Sequence, residues 1–438
     1  MIILIMLIRY LEYGQRHALV KALTRQLDIR HLRLLAAGVV GYTFLLRCLY
    51  CAKVELLPEE AYYWNYSQHL AIGYLDHPPL VAWLIRGGTG LFGHCEFGVR
   101  FGALCCGAVT AFYVFKLAKN LFGEICGLYA LILVQGLPFF FLSGLLVTPD
   151  APLTAAWAAS LFFLERALIG GKPRAWLALG LAMGVGMLAK YTMALLGVAI
   201  LIFMCCDSLS RPWFRRYAPY AALLLAAVIF TPVNIWNFEH DWASFAFQST
   251  RRLAEPYRFS LHKLLASGLV LLTPLGLWAA AAAALPRRAV TRGERMLQFA
   301  IWVPLAVFAA FSMRHDVKLD WTGAPWMAAL PLMAVGFANL PGGRVRAAVG
   351  SAAAWVSTLL MAEVLYSVGL FYLAVGIPGV GYSAHMELLP VGWRGFGEQI
   401  EQLRNTLRET SHRDVLVVGM DRYAIASEAS FYAHDPAP

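Results

Sequence analysis

Residues 124–168 read EICGLYALILVQGLPFFFLSGLLVTPDAPLTAAWAASLFFLERAL, and this stretch decides the class of fold. Two apolar runs, 124–146 and 151–168, are separated by a short link that contains Asp150. A helix that crosses a bilayer needs about 20 mostly apolar residues. Each run is therefore predicted to span a membrane, with the link at one of its surfaces.

The composition of the whole chain supports a membrane protein. Of its 438 residues, 60% are hydrophobic and 14% are charged, whereas soluble domains have about 45–50% and about 25%. The mean hydropathy of +0.61 leaves too little polar surface for a water-soluble protein. The formal net charge of +10 could suggest a nucleic-acid partner. We expect none, because no basic stretch is interleaved with aromatic residues as in strand-binding proteins.

The apolar runs predict eleven spanning helices. They lie near residues 34–53, 98–118, 124–146, 151–168, 174–189, 191–206, 217–237, 261–284, 296–312, 321–340 and 347–375. The run 79–93 is shorter and rich in glycine, which favours a re-entrant or interfacial helix. The basic segment 9–33 is predicted to be an amphipathic cytoplasmic helix that leads into the first span, rather than part of a cleavable signal.

The distribution of basic residues supports this topology. With the N-terminal segment in the cytoplasm, every inner loop carries at least two basic residues. These are Lys116 and Lys119; Arg166, Lys172 and Arg174; Arg211, Arg215 and Arg216; Arg287, Arg288, Arg292 and Arg295; and Arg344 and Arg346. Lys and Arg collect in the cytoplasmic loops of membrane proteins, so orientation in the membrane accounts for the positive net charge.

The segments between these inner loops fall on the outer side, together with everything after about residue 376. We therefore predict a transmembrane domain over 1–375 and a short periplasmic segment over 376–438. Within that segment, Asp414–Met420 has the pattern of a buried strand, and Arg422–Tyr432 that of a short helix. One strand and one helix cannot form a core. The tail is thus expected either to pack on the membrane part or to be a shortened form of a larger soluble domain.

Carboxylates are concentrated in the outer segments. Glu59 and Glu60 begin an aromatic helix, where one of them could accept a proton from an attacking hydroxyl; acids also favour the positive end of a helix dipole. Asp76 and His77 precede two prolines and could contact a sugar or cap the next helix. Asp150 lies so close to a span that a functional role is the default, although it also suits a helix N-cap. The residues alone leave these alternatives open.

Cations lie on the same side of the predicted membrane. Lys190 falls between two apolar runs and needs an anionic partner if it is buried. A lipid phosphate or Asp150 could supply that partner, or the side chain could snorkel to the interface. Donors suited to a phosphate group follow in the later outer loops, namely His240, Gln248, Arg251, Arg252 and Lys318. The convergence of cations and carboxylates on one side of the membrane predicts a site that stabilises an anionic leaving group.

In this order, the outer segments resemble those of the bacterial branch of the polyprenyl-phosphate-dependent glycosyltransferases. The matching stretches are Glu59-Glu60-Ala61-Tyr62-Tyr63-Trp64, Gly73-Tyr-Leu-Asp-His-Pro-Pro-Leu80, Thr148-Pro-Asp-Ala-Pro-Leu153, Lys190-Tyr-Thr192, His240-Asp-Trp-Ala-Ser-Phe-Ala-Phe-Gln248 and Val418–Tyr432. This superfamily has the multi-spanning C-type (GT-C) fold and includes the protein O-mannosyltransferases and the aminoarabinose transferase of lipid A. The resemblance implies an all-α integral membrane bundle with outer juxtamembrane helices and a short C-terminal α/β segment outside the membrane.

The resemblance also implies an inverting transfer from an undecaprenyl- or dolichyl-phosphate sugar to a lipid, glycan or protein acceptor. The family usually has Asp-Glu where this chain has Glu59-Glu60. Glu59 would inherit the role of base, although the sequence does not decide between Glu59 and Glu60, and Asp150 matches the second acidic position. The predicted substrate-binding residues are Tyr62, Asp76, His77, Lys190, Tyr191, His240, Gln248, Arg251, Arg252 and Lys318, with Lys190, Arg251, Arg252 and Lys318 as candidates for the lipid phosphate.

The predicted enzyme would act at the periplasmic face of the inner membrane. No P-loop or GxGxxG sequence suggests a nucleotide, and a divalent metal is compatible with the acids and histidines but not required. Two alternatives stay open: a transporter or flippase of lipid-linked substrates, and an inactive relative that binds a lipid-linked sugar. The absence of an internal repeat and the clustering of acids at one surface favour the transferase. The sequence ends at Pro438, where the family's soluble domain would normally continue, and this leaves the acceptor undefined.

Overall fold

The computed structural model describes residues 29–254, 256–285, 290–338, 352–376, 379, 381, 389–421 and 423–433. Within these ranges the regular secondary structure is helical. Most of the predicted N-terminal amphipathic helix lies outside the described residues.

The described helices follow one another with short connections. In chain order they are α1 (Ile29–Lys53), α2 (Pro58–Gln68), α3 (Leu80–Phe92), α4 (Glu96–Phe122), α5 (Glu124–Gly136), α6 (Pro138–Ser143), α7 (Asp150–Leu164), α8 (Ala175–Ala189), α9 (Ala194–Cys206), α10 (Tyr217–Glu239), α11 (Ala243–Ala246), α12 (Leu261–Ala284), α13 (Arg292–Ser312), α14 (Ala329–Phe337), α15 (Ala352–Val375), α16 (Trp393–Ser411) and α17 (Ala424–Tyr432). Turns of π-helix extend α7 to Ile169 and α11 to Arg251, and 3₁₀ turns precede α9 and α14.

Seven of the described helices are long and apolar enough to cross a membrane. They are α1, α4, α7 with its π turn, α10, α12, α13 and residues 353–375 of α15. Four of the eleven predicted spans correspond to shorter apolar helices, at 124–136, 175–189, 191–206 and 324–337, and the predicted interfacial run corresponds to α3. The all-α membrane fold is confirmed, although the helices at 124–136 and 324–337 are shorter than the predicted spans 124–146 and 321–340.

The helical path breaks at two points beside the site, one within the predicted run 124–146 and one between the predicted runs 174–189 and 191–206. Leu137 is extended (φ −76°, ψ 136°) and Pro138 begins α6, because a proline disfavours helical conformation in the residue before it. Lys190 is also extended (φ −156°, ψ 136°), between α8 and the 3₁₀ turn that precedes α9. The second break turns the lysine side chain out of the helical path.

The helices that carry the site are fixed by close packing. Helix α8 packs against α7 and α10, and α4 packs against α5 and α7. A Cβ atom on Gly180 would lie 2.4 Å from the carbonyl oxygen of Ala222, so the glycine is needed for the close approach of α8 and α10. Trp157 of α7 is buried at the centre of this core. The packing thereby holds the ends of α7 and α8, where Asp150 and Lys190 lie.

The C-terminal segment packs on the rest of the chain, which is one of the two outcomes expected for it. Helix α17 contacts α2 and α16, and it occupies the predicted helical region. The predicted buried strand is wrong: residues 414–419 have no regular structure, and Leu416 is 85% exposed. A strand needs a neighbouring strand to pair with, and the described residues form none. The segment is helical rather than α/β over the part that the structure describes.

Candidate active site

A cavity of about 760 Å³ lies where the breaks in the helices meet the outer loops. Its polar wall contains eight of the predicted site residues, namely Glu59, His77, Asp150, Lys190, Tyr191, Gln248, Arg252 and Lys318. Asp320, Tyr63 and Trp321 also line it, and Phe139, Leu142 and Phe308 contribute to its apolar wall. Six regions of the chain that are distant in sequence therefore converge on one cavity.

Lys190 is held by two carboxylates in this wall. Its ammonium group donates to both oxygens of Asp150, at 3.0 and 2.9 Å, and to Oδ2 of Asp320 at 2.8 Å. Only 8% of the lysine is exposed. Of the partners considered from the sequence, the structure selects Asp150. Although burial opposes ionisation, Lys190 lowers the pKa of Asp320 well below its usual range.

Sequence reasoning missed Asp320. The signal was present, since an acid follows Lys318 by two residues on the outer side. Nothing in the sequence brings residue 320 close to residue 190, because the connection is made only by the tertiary packing of the loop after α13. The result is a three-residue cluster in which Lys190 is already neutralised before a substrate enters.

Glu59 is open to the cavity. It lies in the first turn of α2, and its side chain is exposed to the cavity space. The surrounding walls limit hydration, and this burial raises the pKa of Glu59 above its ordinary value; Lys318 opposes the rise and Asp320 adds to it. Glu59 is therefore accessible to a ligand and more basic than a glutamate in water.

Glu60 points away from the cavity and is completely buried. Its oxygens accept from Nε of Arg100 at 3.0 and 3.1 Å and from Nη2 at 2.6 Å. They also accept from the backbone N–H groups of Val147 and Leu57, each at 3.1 Å. Arg100 is fully buried too, and it donates to the carbonyl of Val54 at 2.6 Å.

The ion pair behind Glu59 joins three parts of the site. Glu60 belongs to α2, Arg100 to α4, and Val147 to the link that leads to Asp150. Sequence reasoning did not single out Arg100, although a lone arginine within the apolar run 98–118 was a usable signal. Of the two adjacent glutamates, Glu59 reaches the cavity and Glu60 fixes the backbone around it.

Asp76 and His77 occupy different environments. Asp76 accepts hydrogen bonds from the hydroxyl of Tyr66 at 2.6 Å and from that of Tyr62 at 3.3 Å. Neither Asp76 nor Tyr62 lines the cavity. His77 does, and its buried Nδ1 has no hydrogen-bond partner among the described residues. Burial lowers the pKa of His77 to about 4, which leaves the imidazole neutral near pH 7.

The fourth outer loop and the segment after α13 supply further residues of the cavity wall. The guanidinium of Arg252 lies 5.1 Å from the ring centroid of Trp321, and Arg252 and Lys318 both line the cavity. The side-chain amide of Gln248 donates to the carbonyl of Asp76, which joins this loop to the first outer loop.

The three remaining predicted residues lie in this loop and in the turn after α8. Tyr191 lines the cavity and shares a 2.7 Å hydrogen bond with Ser244. His240 is exposed outside the cavity, where its ring stacks on Trp236 at 4.0 Å. The side chain of Arg251 lies outside the described part of the structure. The loop thus brings Gln248 and Arg252 to the cavity and leaves His240 on the surface.

The described residues contain no group of three or more His, Cys, Asp or Glu side chains that could hold a metal ion. The acids of the cavity are instead arranged around Lys190 or separated from each other. The geometry therefore provides an accessible carboxylate, a neutral imidazole and two cations around one space.

The chain is similar in sequence to known glycosyltransferases. Residues 76–236, which include His77, Asp150 and Lys190, match the family model described as dolichyl-phosphate-mannose-protein mannosyltransferase. A lipid A galacturonosyltransferase of Rhizobium johnstonii is 31% identical over 196 residues, which is 43% of this chain and 39% of that protein. An undecaprenyl phosphate-α-4-amino-4-deoxy-L-arabinose arabinosyl transferase of Sodalis glossinidius is 28% identical over 316 residues, or 67% of this chain and 55% of that protein.

Solved structures share the fold over most of the chain. ArnT of Cupriavidus metallidurans, bound to undecaprenyl phosphate, superposes with a TM-score of 0.60 at 18% identity, and the match covers 90% of this chain and 74% of that one. The oligosaccharyltransferase AglB of Archaeoglobus fulgidus gives a TM-score of 0.55 at 12% identity over 92% of this chain and 64% of that one.

Fold and sequence together define a multi-pass membrane protein of the C-type glycosyltransferase fold. More particularly, the sequence is similar to the protein mannosyltransferase family model and to aminoarabinose transferases, as the outer motifs predicted. It spans 39% and 55% of the length of the two curated relatives described above.

Proposed function

We propose that this protein is an inverting glycosyltransferase that moves a sugar from a polyprenyl phosphate to an acceptor hydroxyl or amine on the periplasmic side of the inner membrane. The observation that carries the proposal is that Glu59, Arg252 and Lys318 line one cavity. The relatives described above, which include galacturonosyl- and arabinosyltransferases, support the same class of reaction.

Glu59 is proposed as the base. The acceptor oxygen or nitrogen attacks the anomeric carbon while its proton passes to the Glu59 carboxylate. A new bond to the sugar forms as the bond between the anomeric carbon and the phosphate oxygen breaks. A raised pKa suits this role, because general bases work best when their pKa is near the operating pH. Attack from the side opposite the phosphate inverts the anomeric configuration.

Arg252 and Lys318 are proposed to bind the phosphate. The bond-breaking electron pair goes to the phosphate oxygen, so negative charge grows on the leaving polyprenyl phosphate. Cations fixed at the point where charge develops stabilise the transition state more than the ground state. Lys190 was an equal candidate from the sequence, but its two carboxylate partners make it a less effective phosphate ligand. We assign Lys190 to hold Asp150 and Asp320 in place.

His77 is proposed to orient the sugar. A neutral imidazole that lines the cavity can exchange a hydrogen bond with a hydroxyl group. As a neutral group it would add little to phosphate binding. Asp150, fixed by Lys190, lines the same space and offers carboxylate oxygens to sugar or acceptor hydroxyls.

The acceptor is proposed to be a lipopolysaccharide. Two relatives are named as lipid A and lipopolysaccharide core galacturonosyltransferases. The test uses proteoliposomes with radiolabelled undecaprenyl-phosphate galacturonic acid or aminoarabinose, each offered to lipid A, to core lipopolysaccharide or to protein. Transfer of label to a lipopolysaccharide would support the proposal. Transfer only to protein would show that the acceptor is a protein and not a lipopolysaccharide. Tight donor binding without transfer of either sugar would favour an inactive relative.

A further inference from the structure

The C-terminal helix α17 is docked directly behind the helix that carries Glu59. Phe431 packs edge-on against Trp64 of α2, with 5.0 Å between the ring centroids. The hydroxyl of Tyr432 accepts from the backbone N–H of Leu56 at 2.8 Å, three residues before Glu59. Movement of α17 would therefore act on the start of α2.

Helix α16 joins the same contact. The backbone N–H of Trp393 donates to Glu55 at 2.7 Å. Glu96, at the start of α4, pairs with Arg394 and accepts from the Tyr432 hydroxyl at 3.2 Å. The C-terminal segment thus contacts two adjacent residues, Glu55 and Leu56, in the short connection between α1 and α2.

Glu428 lies at the centre of this contact without a partner. It is 0% exposed, and neither of its carboxyl oxygens has a hydrogen bond among the described residues. The carboxylates that face it are Glu55 in the connection between α1 and α2, Glu60 on α2 and Glu96 at the start of α4.

The charged groups around Glu428 do not neutralise it. Arg100 is the facing cation, but its guanidinium already donates to Glu60 and to the carbonyls of Val54 and Glu55. On α16, Arg394 pairs with Glu96. On α17 itself, the Tyr432 hydroxyl donates to Glu96. Burial, together with Glu60 and Glu55, raises the pKa of Glu428 to about 9.

We propose that α17 is a proton-dependent clamp on α2: it docks while Glu428 is neutral, holds Glu59 in register with the cavity, and loosens as Glu428 ionises. Glu428 is thereby a positioning residue rather than a catalytic one. Only its effect on turnover rests on the proposed function; the docking itself does not.

The direction of the pH effect follows from linkage. When α17 is undocked, Glu428 has an ordinary glutamate pKa of about 4.3, whereas the docked carboxyl stays neutral to much higher pH. Below the ordinary pKa both states are protonated and docking is tightest. As pH rises toward 9, docking weakens by up to about tenfold per pH unit. Glutamine at position 428 keeps the shape and cannot ionise, so it should remain docked.

Hydrogen–deuterium exchange of the purified protein in nanodiscs tests the clamp without any substrate. Protection of residues 424–432, corrected for the intrinsic pH dependence of amide exchange, should fall at least tenfold in the wild type between pH 6 and pH 9. It should stay constant in Glu428→Gln, while the exposed Glu398→Gln on α16 should behave like the wild type. Protection of α8 in the same molecules reports whether the fold survives.

Two outcomes would overturn the clamp. One is equal pH dependence in the wild type and Glu428→Gln, and the other is constant protection in both. The positioning role has its own readout: kcat of the wild type should fall between pH 7 and pH 9 more steeply than that of Glu428→Gln. Parallel kcat profiles would overturn that role even if the exchange result holds. Absence of any transferase activity would sink the proposed function and leave the exchange result intact.

Discussion

The carboxylate of Glu60 and the guanidinium of Arg100 form a fully buried ion pair, 2.6 Å apart, immediately behind Glu59. Through the same carboxylate, the pair also holds the backbone of Val147, three residues before Asp150. One buried ion pair therefore fixes both the backbone beside Glu59 and the backbone that leads to Asp150.

Removal of one partner of this pair should be costly. Arg100→Leu would leave the Glu60 carboxylate buried and unpaired, and we expect a loss of stability of about 3–5 kcal/mol. The measurement is thermal unfolding in detergent or nanodiscs, with the exposed Arg86→Leu on α3 as the matched control. The double variant Arg100→Leu/Glu60→Leu should recover part of the stability and none of the activity. An Arg100→Leu protein that unfolds at the wild-type temperature would contradict the structural role.

Lys190 should matter for the geometry of the cavity more than for phosphate affinity. Lys190→Met would leave Asp150 and Asp320 without their shared cation, at a cost of about 1–3 kcal/mol. We expect a large fall in kcat with only a small change in the Kd of undecaprenyl phosphate. Lys263→Met is the control, since it breaks a partly exposed pair with Asp316 outside the cavity. A loss of phosphate affinity equal to that of the Arg252 variant would show that Lys190 binds the phosphate directly.

The pH dependence of kcat/KM distinguishes the titration of Glu59 from that of His77. Glu59 must be ionised to act as a base, and its raised pKa should place the acid limb of kcat/KM above about 4.3, the ordinary glutamate value. His77 has a pKa of about 4, so it stays neutral through the neutral range and should not set a limb near 6.5. His77→Asn should reduce the rate while the acid limb stays in place. Disappearance of that limb in His77→Asn would assign it to the histidine.

Arg252 and Lys318 should govern donor binding. We expect Arg252→Gln and Lys318→Gln each to weaken undecaprenyl-phosphate binding by roughly 10- to 100-fold, which corresponds to the loss of one charge-assisted hydrogen bond. Arg258→Gln provides the control, because this exposed arginine lies in the same outer loop and pairs with Asp316. Binding would be measured by calorimetry in nanodiscs. Equal affinities for the three variants and the wild type would place the phosphate elsewhere.

The membrane fold was predictable because a bilayer imposes a length and an apolar composition on every span. The run 98–118 and helix α4 coincide for this reason. The 124–146 prediction was too long because Pro138 starts a new helix. The strand prediction at 414–420 failed because local sequence cannot report whether a partner strand exists.

The site was predictable in its residue types and less so in its geometry. Glu59 and Glu60 are neighbours on a helix, where consecutive side chains differ by about 100° in direction. No local pattern decides which of them reaches the cavity; the buried Arg100 does. In the same way, the contact between Lys190 and Asp320 depends on tertiary packing. His240 was predicted at the site because its loop is there, but its ring lies outside the cavity.

The central claim is that Glu59 takes the proton from the acceptor. The direct test is transfer from a radiolabelled undecaprenyl-phosphate sugar in proteoliposomes by the wild type, Glu59→Gln and the exposed control Glu239→Gln, with donor affinity measured on the same preparations. We expect Glu59→Gln to bind the donor as the wild type does and to lose transfer by a factor of about 10²–10⁴, the usual contribution of general base catalysis, while Glu239→Gln keeps full activity. Transfer by Glu59→Gln at the wild-type rate would contradict the claim.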